Sequence, residues 1–147
     1  MAVRIVTDSA CDLSQELVDQ HGIEVVPLTI RFGDEEFVDR TELSVDDFYA
    51  RMAASDTLPE TAAPSPGAFE QAFRSVGAGG DEVVCINLSA ALSATMQSAA
   101  TAAKSLEGEV PVTVLDSKAL TIGLGNIVVA AADAASQGAS REDVAAL

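Results

Sequence analysis

At 147 residues the chain has room for one ordinary domain with a core of its own and needs no disulfide staple. Eight basic residues against 23 acidic ones give a net charge of −15, and the basic ones are scattered singly, which excludes nucleic acid and anionic membrane surfaces as natural partners. Cys11 and Cys85 lie far apart beside apolar runs and read as small buried hydrophobes, not as a disulfide or metal framework.

The amino-terminal stretch MAVRIVTDSACDL reaches Asp8 too early to hold the apolar core of a signal peptide. The most apolar segment, residues 119–132, is shorter than the roughly 20 residues of a spanning helix and carries two glycines and Asn126. A soluble cytoplasmic protein without membrane insertion is expected.

Residues 3–7 form a β-branched run that ends in Asp8-Ser9, as a strand entering a loop would. Asp12-Leu13-Ser14-Gln15 then supplies a capping residue, and Leu13, Leu17 and Val18 recur at helical spacing, so a helix is expected up to His21 and Gly22. Residues 23–30 are again rich in β-formers, Gly33-Asp34 marks a turn, and residues 36–38 give a return strand. Ser44 and Asp47 open a second helix containing Phe48, Tyr49 and Met52.

Residues 53–66 are small, polar and proline-bearing and are read as a loop. Ser65 caps and Pro66 begins a helix through Val76, residues 82–87 form a buried strand, and residues 92–105 an alanine-rich helix. A further strand over 112–115 ends in Asp116-Ser117. The helix expected over 120–137 is apolar nearly all round and wants a second surface to cover it; a last helix opens at Ser140 and runs to the end of the sequence. Strands alternating with helices predict an α/β fold with a mostly parallel sheet and helices on both faces.

Three strands end in small polar clusters, Thr7-Asp8-Ser9, Asn87-Leu88-Ser89 and Asp116-Ser117. In open parallel sheets ligands bind outside the carboxyl ends of the strands, so these clusters define a candidate rim: Asp8, Ser9, Ala94, Thr95, Asp116 and Ser117. Leu92-Ser93-Ala94-Thr95, at a helix start, suits a carboxylate or phosphate, and Thr61 offers a further hydroxyl from its loop.

Catalytic constellations are thin. His21 is the one histidine and sits at a helix end, where a cation offsets the dipole, so neither a Ser-His-Asp triad nor a histidine-ligated metal has a basis. Gly123-Leu124-Gly125 lies too far past its strand for a dinucleotide loop and lacks a third glycine. No cofactor or metal is expected. Two other classes stay open: a small phosphotransferase or hydrolase using Asp8 or Ser93, and a ligand-free domain that docks a partner through its apolar helix.

The succession Thr7-Asp8-Ser9, Val26-Pro27-Leu28, residues 61–65, Leu92-Ser93-Ala94-Thr95 with Gln97-Ser98-Ala99, and Leu115-Asp116-Ser117 with Gly123 and Gly125 resembles the DegV family along the whole chain. The resemblance implies a carrier and not an enzyme: a bacterial protein that binds a long-chain fatty acid and presents its carboxyl group to a fatty acid kinase, which makes acyl phosphate for phospholipid synthesis. It further implies that Thr61 and Ser93 hydrogen-bond the carboxylate while the tail lies largely inside this domain. Residues 1–147 would be the first of two domains, the second, C-terminal domain supplying a basic or polar partner to the carboxylate. Ala62-Ala63 stand where the family usually has Ser-Gln, and Ala94 where it has glycine.

Overall fold

The structure, a computed structural model, describes residues 1–147. Four strands, β1 (Val3–Asp8), β2 (Glu24–Val26), β6 (Glu82–Asn87) and β7 (Val112–Asp116), form one parallel sheet in the order β2-β1-β6-β7. The intervening β3 (Thr29–Phe32), β4 (Glu35–Val38) and β5 (Glu60–Ala62) form a separate antiparallel sheet in the order β4-β3-β5. The expected parallel sheet is therefore present, with a small antiparallel annex beside it.

Alternation along β1 and β6 sends side chains into two cores. Ile5, Val84 and Ile86 pack beneath α1 (Gln15–His21), α5 (Ile122–Ser136) and α6 (Arg141–Ala145), with Leu13, Leu124 and Val128. Val6, Val83 and Cys85 point the other way, to Phe69 and Phe73 of α3 (Pro66–Val76) and Ala99 and Ala102 of α4 (Thr95–Ser105). Helices cover both faces, the arrangement that buries a parallel sheet's two apolar sides.

Four helices start the same way. Ser14, Ser44, Ser65 and Ser140 each accept a hydrogen bond from the backbone N–H three residues on, at Leu17, Asp47, Ala68 and Asp143. Each bond satisfies one of the amides that a helix start leaves without a partner.

Several boundaries differ from expectation. Helix α1 begins after Ser14, because residues Ser9–Cys11 form a 3-10 turn that Asp12 ends in the left-handed region at φ 51°. The β-rich run 23–30 is broken at Pro27, which cannot donate a ladder hydrogen bond, and its halves join different sheets. The loop expected over 53–66 contains β5, in which Thr61 pairs with Ile30; three residues are too few for a period to show.

Helix α4 begins at Thr95 and not at residue 92. Leu92 and Ser93 instead donate backbone bonds to the Ser89 carbonyl, which closes a tight turn after β6. Helix α5 turns Leu124, Val128, Ala131 and Ala132 to the core and leaves Ile122 and Ile127 exposed, so its outer apolar side is uncovered within this chain. No helix is long and apolar enough to cross a membrane.

Candidate functional site

The strand ends meet along one edge of the parallel sheet. Asp8 ends β1, Asn87 pairs with Asp116 at the ends of β6 and β7, and Ser93 lies in the turn that follows β6. The hydroxyl of Thr7 donates to the Ile86 carbonyl at 2.7 Å and fixes β1 against β6.

Asp8 organises this edge from within. It is fully buried; Oδ2 accepts from Asn87 Nδ2 at 3.0 Å and from the Leu88 amide at 2.9 Å, while Oδ1 accepts from the Ala10 amide at 3.1 Å. Burial pushes its carboxyl above the ordinary carboxylate value, and the three donors reduce that rise without cancelling it. A side chain so enclosed ties the loops after β1 and β6 together.

Asp116 is the contrasting case. Its Oδ1 accepts from the Lys118 and Ala90 amides at 2.9 and 3.1 Å, which hold its carboxyl below the ordinary range. Both rim aspartates thus brace loops. Ser117 does likewise: its hydroxyl accepts from the Ala119 amide at 3.1 Å. Burial pushes both cysteine thiols up, Cys85 the further, as befits inert core residues. His21 closes α1, its Nδ1 3.0 Å from Asp133 Oδ1 on α5.

Between the rim and the annex runs a groove of about 230 Å³. Leu28, Ile30, Val45, Phe48, Tyr49 and Leu120 supply its apolar walls. Ser9, Thr61, Thr121 and Arg40 supply polar groups. Ser9 is buried, and its Oγ accepts from the Leu28 amide at 3.0 Å, which leaves the hydroxyl proton for another acceptor. Thr61 is exposed, on β5.

Ser93 lies apart from this groove. It lines a separate hollow of about 310 Å³ with Ala90, Ala94, Met96, Gln97 and Ala100. Its Oγ is 2.9 Å from the hydroxyl of the buried Thr95 and accepts from the Thr95 amide at 3.2 Å, a local turn just before α4. Ala94, at φ −78° and ψ 4°, is exposed in a conformation open to any residue, so no glycine is required there. A wider hollow of about 590 Å³ lies by Pro111 and Val112, at the opposite end of β7; its mixed charges include Lys104, Glu107 and Arg141, and it has no part in the rim.

Two groove residues escape a reading of the sequence. Arg40 stands alone among Asp34, Glu35, Glu36, Asp39 and Glu42, and that isolation was the available signal. It adopts a left-handed φ of 63° and sends its guanidinium to the Leu13 carbonyl and, at 3.5 Å, to Asp12 Oδ1. Thr121 precedes α5 at φ 54° and ψ −137°, a region that β-branched residues rarely enter and that no sequence pattern announces.

An apolar groove with a few hydroxyls at the carboxyl edge of a parallel sheet is the layout of a small-molecule binding domain. Comparison supplies the family. The model of the DegV family, described as uncharacterised protein, matches residues 2–147, and the chain belongs to that family. A DegV domain-containing protein of Clostridium perfringens is 38% identical over 142 residues, covering 97% of this chain and 50% of the relative.

Among solved structures, a DegV family protein from Thermus thermophilus, described by its fatty acid binding, shares 34% identity at a TM-score of 0.88, over 99% of this chain and 51% of that one. A stearic acid-binding protein from Eubacterium ventriosum shares 32% identity at a TM-score of 0.89, over 97% and 50%. The chain spans about half the length of the relatives it matches.

Proposed function

We propose that this domain binds a long-chain fatty acid in the cytoplasm and, with a second domain over its rim, presents the carboxyl group to a fatty acid kinase for conversion to acyl phosphate. The observation that carries the reading is the groove itself: its apolar walls suit an acyl tail, and it sits in a family whose solved members include fatty-acid-binding proteins. The exposed Ile122 and Ile127 on α5 offer the second domain an apolar seat.

Burying an acyl tail at roughly 0.8 kcal/mol per methylene contributes on the order of 10 kcal/mol, against about 1.5–3 kcal/mol for each charge-assisted hydrogen bond. The tail would therefore set affinity and the hydroxyls orientation. Thr61, in the groove wall, and Ser93, in a separate hollow, are the proposed carboxylate donors.

The test measures fatty acid affinity and kinase-coupled turnover for Thr61→Ala and Ser93→Ala in the full-length protein. Each variant should weaken binding by roughly 1–3 kcal/mol and lower turnover further, since transfer needs the carboxyl placed and binding mostly needs the tail buried. Parent-like values for both variants in both assays would move the carboxylate elsewhere.

A further inference from the structure

The annex is joined to the parallel sheet by very little. From β3 to β5, residues 29–62, only Ile30 and Leu43 are buried, and α2 (Val45–Ala54) buries none of its residues. Two short connections attach it: Pro27-Leu28 on one side, where the Leu28 amide is pinned by Ser9, and Ala63-Pro64 on the other.

Its polar side chains mostly close on themselves. Arg31 pairs with Glu60, and Arg51 pairs with Glu35 at 3.1 Å while lying 4.5 Å over the Phe37 ring. Arg40 is the exception: across the groove it reaches the Leu13 carbonyl and Asp12, both on the sheet side. The groove runs between Arg40, Phe48 and Thr61 on the annex side and Ser9, Ala10 and Leu120 on the sheet side, so a ligand lying along it touches both walls.

We propose that residues 29–62 form a hinged lid over the groove and that Arg40 is its latch, a positioning residue that sets how fast ligand enters and leaves. The identity of the ligand rests on the fatty acid reading above; the hinge does not. The left-handed backbone at Arg40 is a conformation glycine adopts freely, so Arg40→Gly removes the latch while easing the chain rather than straining it.

Hydrogen exchange on the ligand-free protein tests the lid without any ligand. Arg40→Gly should speed amide exchange about ten-fold across 29–62 and leave β1 and β6 at parental rates. A uniform rise over the chain, or no rise, overturns the latch. Stopped-flow mixing of the full-length protein with cis-parinaric acid then reads the gate. Association and dissociation rates should both rise roughly ten-fold in Arg40→Gly and by less in Arg40→Lys, which keeps the charge but loses the planar fork. A rise in dissociation alone would make Arg40 a ligand contact and overturn the proposal. Failure of the probe to bind the parent at all would overturn the fatty acid reading, and the exchange data would still decide the lid.

Discussion

The parallel sheet and the antiparallel annex hold together by different means. The sheet is sandwiched between two apolar cores in which Phe69, Phe73, Leu124 and Val128 are wholly buried. The annex leans on exposed or half-buried aromatics: Phe48 meets Phe32 at 5.9 Å and Tyr49 at 5.2 Å between ring centroids. One region is built on two continuous buried cores; the other has few buried residues, the condition for low local stability. The groove lies on the seam between them.

Core truncation should separate the two regions most. Phe73→Ala removes a wholly buried ring and should cost about 3–5 kcal/mol by denaturant unfolding, whereas Phe48→Ala, half-buried in the annex, should cost about 1 kcal/mol. Equal costs would show that the annex is as integral to the fold as the sheet.

Glycine substitutions should give a smaller contrast of a different origin. A Cβ at Gly125 of α5 would stand 2.5 Å from the Cys11 carbonyl oxygen and 2.9 Å from Leu13 Cδ2, so Gly125→Ala should destabilise by roughly 1–3 kcal/mol through forced displacement of the 3-10 turn. At Gly33, in the annex turn, nothing lies within 4 Å, and the cost of Gly33→Ala should be the roughly 1 kcal/mol of its left-handed φ of 58°. Thermal melts of both variants check the order, and a neutral Gly125→Ala would mean that α5 can slide from the sheet.

The smallest effect lies in the titration of the rim. The folded-state value of Asp8 is raised, so its contribution favours the fold below the ordinary aspartate range and is lost as pH climbs through the raised value. Asp116 is lowered, so its contribution is present above that range and disappears as pH falls through the lowered value. Carboxyl NMR should show Asp8 titrating above Asp116. The reverse order would place water or a counter-charge beside Asp8.

The scaffold was legible because burial writes itself into sequence. Runs such as Val83-Val84-Cys85-Ile86 need two apolar faces, and Ser14, Ser44, Ser65 and Ser140 mark helix starts through a local bond. The common edge followed from the parallel pairing of β1, β6 and β7, whose ends carry Asp8, Asn87 and Asp116. That edge was legible only in part, because residue type alone reveals neither the enclosure of Asp8 nor the loop amides from which Asp116 accepts.

The annex was the hardest to read. Its strands are short and half exposed, so alternation carries little signal, and β5 was hidden in a segment with the composition of a loop. The Arg40 contact joins residues 27 positions apart through a left-handed backbone, and neither term has a local sequence signature. Thr61 and Ser93 were both placed near the rim, yet the hollows they line are separate, a detail set by side-chain packing.

The central claim, that the groove receives an acyl chain, is tested most directly by titrating the protein with stearate and counting bound molecules by native mass spectrometry, with Ile30→Asp as the comparison. Ile30 is buried on β3 and lines the groove, so a carboxylate there should repel the tail. The expected result is one stearate per chain in the parent and little or none in a folded Ile30→Asp variant. Equal stearate binding by the two, or none by the parent, would contradict it.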